Sequence, residues 1–124
     1  MTHSTMTADK EWYIYHLIDP RYYSVRYVGW TTDMKKRLIQ HTRSVQKGEK
    51  SLKADWFREV LAEGFTPIIV QVGLGFGLGW EQAEIAEIAL QRSLGAKLTN
   101  GTDGGDGVKG YKFSKEQTDK RGKK

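Results

Sequence analysis

Trp12-Tyr13-Ile14-Tyr15-His16-Leu17-Ile18, followed by Val25-Arg26-Tyr27-Val28-Gly29 and then by Lys36-Arg37-Leu38-Ile39-Gln40-His41, is the stretch that decides the fold. The first run is dense in aromatic and β-branched residues and reads as a strand. Asp19-Pro20 breaks it, and Val25–Gly29 reads as a second short strand. Residues two apart on a strand share a face, so Tyr13, Tyr15 and Leu17 point one way and Ile14, His16 and Ile18 the other. An antiparallel pairing is expected to stand Tyr15 beside Tyr27. Gly29 has no side chain, so its backbone is expected to admit a ligand closely. Thr31-Thr32-Asp33 offers hydroxyl and carboxylate groups that cap a helix. On that helix Arg37 and His41, four apart, share a face. A hairpin running into a helix therefore gathers two phenols, a guanidinium and an imidazole. Such a set suits phosphodiester cleavage: one group holds phosphate, another takes a proton, another orients water.

Further along, Leu52–Ala62 places Leu52, Trp56, Phe57, Val60 and Leu61 on one side of a helical wheel, which predicts an amphipathic helix ended by Gly64. Residues 67–72 (PIIVQV) predict a third, well-buried strand. Gly73–Gly79 (GLGFGLG) is expected to be a flexible connector; its spacing fits neither a dinucleotide fingerprint nor a phosphate loop. Trp80–Leu94 predicts a third helix. The fold class is therefore α+β: a small three-stranded antiparallel sheet flanked by helices, in the order strand, strand, helix, helix, strand, helix. Three carboxylates, Glu81, Glu84 and Glu87, lie on the third helix. Glu84 falls between Trp80 and Ile88, and a carboxylate with apolar neighbours needs a partner or a metal. The helix is apolar on several sides, so periodicity leaves all three open.

The chain of 124 residues fits one domain with a modest core. It has no cysteine, which excludes disulfides, thiolate zinc sites and cysteine nucleophiles. It has no membrane-length apolar run and no signal-peptide pattern, so a cytoplasmic, non-membrane protein is expected. The charge is uneven. Residues 1–108 carry 13 Lys/Arg and 13 Asp/Glu, whereas residues 109–124 carry seven and two, which places the whole formal net charge of +5 in the tail. Such a tail attracts a polyanion or merely solubilises the chain. The first helix is locally basic through Lys35, Lys36, Arg37, Arg43 and Lys47. Asp103 and Asp106 lack the ligand spacing of a calcium loop.

Read together, these residues resemble the GIY-YIG nuclease family. Tyr13-Ile14-Tyr15 stands for the first name-giving triplet, with Tyr13 in place of Gly, and Tyr27-Val28-Gly29 for the second. Arg37 and His41 follow in the family's register, and Leu98-Thr99-Asn100-Gly101-Thr102-Asp103-Gly104-Gly105 is similar to the C-terminal signature of phage and intron-encoded, homing-type members. The resemblance covers roughly residues 12–107. Any one triplet is weak evidence, since a lone strand tyrosine is usually a sheet aromatic and a lone Arg or His a solvated or structural group. The ordered set of six positions is strong.

The resemblance implies a homing-type endonuclease domain over residues 12–108, between an extension (1–11) and the basic tail (109–124), which itself resembles the start of a small DNA-binding module. It implies Tyr15 as general base, Tyr27 positioning water or phosphate, Arg37 on the phosphate, and His41 hydrogen-bonding the Tyr15 region or relaying a proton. It picks Glu84 as metal ligand by its distance from Gly95 and Asn100, and Asn100 as a support. A phenol is a poor base at neutral pH, so nearby cations must favour its ionised form. A single carboxylate suits a hard cation that keeps its waters, Mg2+ or Mn2+. The partner implied is double-stranded DNA, contacted by Gly29, Lys35, Lys36, Arg43, Lys112 and Lys115, in a bacterial host's cytoplasm if the chain is phage-encoded. Target sequence and oligomeric state, monomer included, are open. The other class is a non-catalytic nucleic-acid-binding module with the same fold.

Overall fold

In the computed structural model, which describes residues 10–101, the chain runs β1 (Glu11–Asp19), β2 (Ser24–Thr31), α1 (Met34–Gln46), α2 (Leu52–Ala62), β3 (Ile68–Phe76) and α3 (Trp80–Ser93). The strands form one antiparallel sheet in the order β2-β1-β3. This is the α+β arrangement expected from the sequence. Lys112 and Lys115, and with them the basic tail, lie outside the described residues. Glu11, counted with the extension in the sequence, pairs with Phe76 in the sheet.

The central strand β1 is covered on both faces, and its alternation sorts residues between two layers. Tyr15 and Leu17 face α1 and α2, packing with Val45, Ala54, Trp56, Phe57 and Val60. Trp12 and Ile14 face α3, packing with Val28 and Ile88. On that same side His16 meets Glu87 at 2.8 Å. Asp33 caps α1 by accepting from the Lys36 backbone N–H, and Ser51 caps α2 by accepting from that of Ala54. The β1–β2 turn is pinned by Asp19, which is fully buried and accepts from Arg21 and from the Trp56 indole.

Two expectations about the third strand fail. β3 extends through Gly73–Phe76, so half of the expected connector is strand. Gly75 makes this possible, since the Trp12 ring lies where a Cβ would stand, within 2.6 Å of Trp12 Cε2. The strand is also not well buried. It is the edge of the sheet, and Ile68, Val70, Val72, Leu74 and Phe76 are 38–58% exposed. An unbroken apolar run reads as a buried strand, but here only Ile69 packs against the core below α2.

Candidate functional site

The site is built where β1 and β2 pass beneath α1. Tyr15 pairs with Gly29, and Tyr27 pairs with Leu17, two positions along. The two tyrosines are therefore diagonal neighbours rather than directly opposed, with ring centroids 6.3 Å apart. The space above Gly29, expected to admit a ligand, is taken by Tyr15: a Cβ added there would fall 2.6 Å from Tyr15 Cζ and 2.9 Å from Tyr27 Cε2. Gly29 thus makes room for a phenol.

Arg37 and His41 share the inner face of α1 and converge on one atom. Arg37 Nε donates to Tyr15 Oη at 3.0 Å, and His41 Nε2 lies 2.7 Å from the same oxygen. His41 is also held edge-on to Tyr27, with centroids 5.5 Å apart. Tyr15 has no exposed surface. Burial raises its phenol above the ordinary 10; the charge and hydrogen bond of Arg37 oppose this, and the charge of Glu84 adds to it. Burial, then the charge of Tyr15, pushes Tyr27 well up, and Arg37 opposes it by charge alone. A cation, Arg37, is therefore in place on Tyr15, but burial outweighs it.

Glu84 comes from α3, on the other face of the sheet, and is 6% exposed. Its charge bears on Tyr15, Tyr27 and Arg37. That separates it from its two neighbours on the helix. Glu81 is exposed, and Glu87 is engaged by His16 and Gln91. Among the described residues no three of His, Cys, Asp and Glu gather into a metal-binding group. Asn100 stands apart from the phenols. Its side chain accepts from Val28 N at 3.0 Å and donates to Val28 O at 2.7 Å, like the peptide group of a further strand. It braces β2 next to Tyr27 and Gly29. Lys35, Lys36 and Arg43 are exposed on α1.

Two residues of the cluster were not singled out in the sequence. Lys53 Nζ lies 2.9 Å from His41 Nδ1 and 3.3 Å from Glu49 Oε2, and Glu49 in turn accepts from the Ser51 hydroxyl at 2.7 Å. Lys53 also sits 5.4 Å from the centre of the Tyr27 ring. The signal available for Lys53 was its position, four residues before the core Phe57 and three before Trp56 on the buried side of α2. Burial, followed by the charges of Lys53 and Arg37, lowers the His41 imidazole from 6.5 to about 3. The imidazole is therefore neutral across the physiological range.

Compared with protein-family models, curated proteins and solved structures, the chain finds no match.

Proposed function

We propose that the chain is a metal-dependent endonuclease of the GIY-YIG kind, homing-type, that hydrolyses phosphodiester bonds in double-stranded DNA. The observation that carries this reading is the convergence of Tyr15, Tyr27, Arg37 and His41, from two strands and a helix, within the field of Glu84 from a second helix. A solvated face or an ordinary core has no reason to bury a guanidinium–phenol–imidazole cluster of this kind.

In this reading Arg37 turns its planar fork to the non-bridging phosphate oxygens. Arg37 Nε stays on Tyr15 Oη, and Tyr15, once its own proton has passed to solvent, takes the proton of the attacking water as a phenolate. Tyr27 positions water or phosphate beside it. His41, neutral, keeps its hydrogen bond to Tyr15 throughout. Asn100 fixes the strand that carries Tyr27 and Gly29. Lys35, Lys36 and Arg43 contact the flanking backbone and contribute salt-dependent affinity. Glu84 is a buried carboxylate, a hard oxygen donor, which fits a hard dication that retains water, Mg2+ or Mn2+. When bound, such an ion supplies positive charge for the phosphoryl and leaving oxygens. Glu84 is the residue that would hold it.

One observation favours a second reading, a nucleic-acid-binding module without cleavage: the oxygen of Tyr15 is sealed from solvent. The two are separated by supercoiled plasmid incubated with Mg2+, with Mn2+ and with a chelator. Nicking or linearisation only with metal, lost in Glu84→Gln and kept in Glu81→Gln, is expected. DNA binding without cutting under every metal condition supports the module instead. Glu87→Gln is not a clean control, because it also removes the partner of His16.

A further inference from the structure

We infer that Lys53 is a positioning residue that fixes His41 as its Nε2–H tautomer, so that the oxygen of Tyr15 receives two N–H donors at once. The inference rests on the site reading above and assigns that site a part it lacked. A protonated lysine has three donors and no acceptor. With Lys53 Nζ 2.9 Å from Nδ1 of His41, Nδ1 must be the accepting nitrogen. The proton of the neutral ring is then on Nε2, 2.7 Å from Tyr15 Oη. Arg37 Nε, also a donor only, reaches the same oxygen at 3.0 Å. Both lone pairs of the phenol oxygen are thus taken by donors, and its own proton is left for a third direction.

This arrangement decides the direction of proton flow. In the opposite tautomer Nε2 would accept from the Tyr15 hydroxyl and hold the phenol protonated. With Nε2–H pointing in, His41 and Arg37 both stabilise negative charge on Oη. His41 then steadies a phenolate and never competes with it for the proton. Burial lowers the Lys53 ammonium from its ordinary range, and Glu49, 3.3 Å from Lys53 Nζ, opposes this by charge and hydrogen bond and completes a chain Glu49–Lys53–His41–Tyr15. The charged and titratable groups facing this chain are Arg37 from α1, Tyr27 from β2 and Glu84 from α3.

The test is nitrogen-15 NMR of the histidine rings in the full chain, which holds three histidines, His3, His16 and His41; His41→Asn identifies the signals of His41. The wild type is expected to show a neutral Nε2–H ring with an unprotonated, hydrogen-bonded Nδ1, unchanged from pH 8 to pH 5. Lys53→Met is expected to move the proton to Nδ1 or to let the ring titrate in that range. The same variant should lower the turnover of plasmid cleavage about tenfold or more, short of the roughly hundredfold that a proton-transfer group itself contributes at the least, and shift its pH profile to higher pH. Lys53→Arg, which keeps a charged donor, should restore both. An Nδ1–H ring in the wild type overturns the inference, as does an unchanged ring in Lys53→Met. The wild-type spectrum alone decides if Lys53→Met does not fold. A correct tautomer in a chain that cuts no DNA overturns the nuclease reading and leaves the lock standing.

Discussion

Gly29→Ala adds one methyl group at the place where the two phenols of the candidate site meet. Its Cβ would stand 2.6 Å from Tyr15 Cζ and 2.9 Å from Tyr27 Cε2, well inside van der Waals contact. Relief by a side-chain swing is blocked, because Tyr15 has no exposed surface and its oxygen is held by Arg37 and His41. Overpacking a site of this kind costs about 1–3 kcal/mol. For a domain of this size each kcal/mol lowers the melting temperature by roughly 4–8 °C. If the strand yields instead, Tyr15 Oη moves by a distance on the order of 1 Å, which is enough to cost cleavage about a hundredfold. The assays are urea and thermal unfolding followed by tryptophan fluorescence, and plasmid cleavage at a temperature where the variant is folded. Gly101→Ala is the control, since an added Cβ there meets nothing within 4 Å. A Gly29→Ala chain that melts with the wild type refutes the placement of Tyr15 over Gly29. One that is destabilised as expected, yet cuts at the wild-type rate, refutes the link between that placement and catalysis.

Tyr15→Phe removes the oxygen on which Arg37 and His41 converge and should abolish most cleavage, while Tyr13→Phe, whose hydroxyl bonds only Glu11 among the described residues, should leave it within about twofold; equal losses would deny position 15 a special role. Deleting residues 109–124 removes the entire net charge of +5 and should flatten the salt dependence of DNA affinity, so identical slopes for the full and truncated chains would make the tail a bystander. Acid should destabilise the fold in two stages. His41 has a folded pKa of about 3 against 6.5 unfolded, so the unfolded chain binds the extra proton first and stability falls as pH drops from about 6.5 toward 3. Asp19, held low chiefly by the hydrogen bond from Arg21, adds its loss below about pH 4. Urea midpoints between pH 7 and pH 2 measure both stages, and an unchanged slope between pH 7 and pH 5 in His41→Asn would remove His41 from the account.

Local pattern carried the sequence as far as elements whose surroundings it also fixes. The span of α2 follows from the spacing of Trp56, Phe57, Val60 and Leu61, although Leu52 at its start is exposed. The convergence of Arg37 and His41 follows from four-residue spacing on a capped helix. What failed was whatever depends on a partner far away in the chain. The exposure of β3 depends on its being an edge, which a run of Ile and Val does not reveal. Gly75 read as a connector because its role is set by the Trp12 ring. The diagonal offset of Tyr15 and Tyr27 depends on the pairing register, which turn residues did not fix. Lys53 and Glu49 gained their role through His41, a contact no spacing announces, and periodicity left Glu81, Glu84 and Glu87 open because it does not show which of them the sheet buries.

The two borders of the sheet are unlike. Along β2 the outward backbone is already engaged: Thr99 donates to Arg26 O through its backbone N–H and its hydroxyl, and the Asn100 carboxamide occupies both groups of Val28. Along β3 no described strand lies beyond, and the nine residues Ile68–Phe76 contain neither charge nor proline, the features that commonly discourage a border from being extended. Lateral growth of this sheet is therefore one-sided. Two chains meeting along β3 would turn outward only their β2 borders, where Arg26 and Val28 are already bonded within the chain.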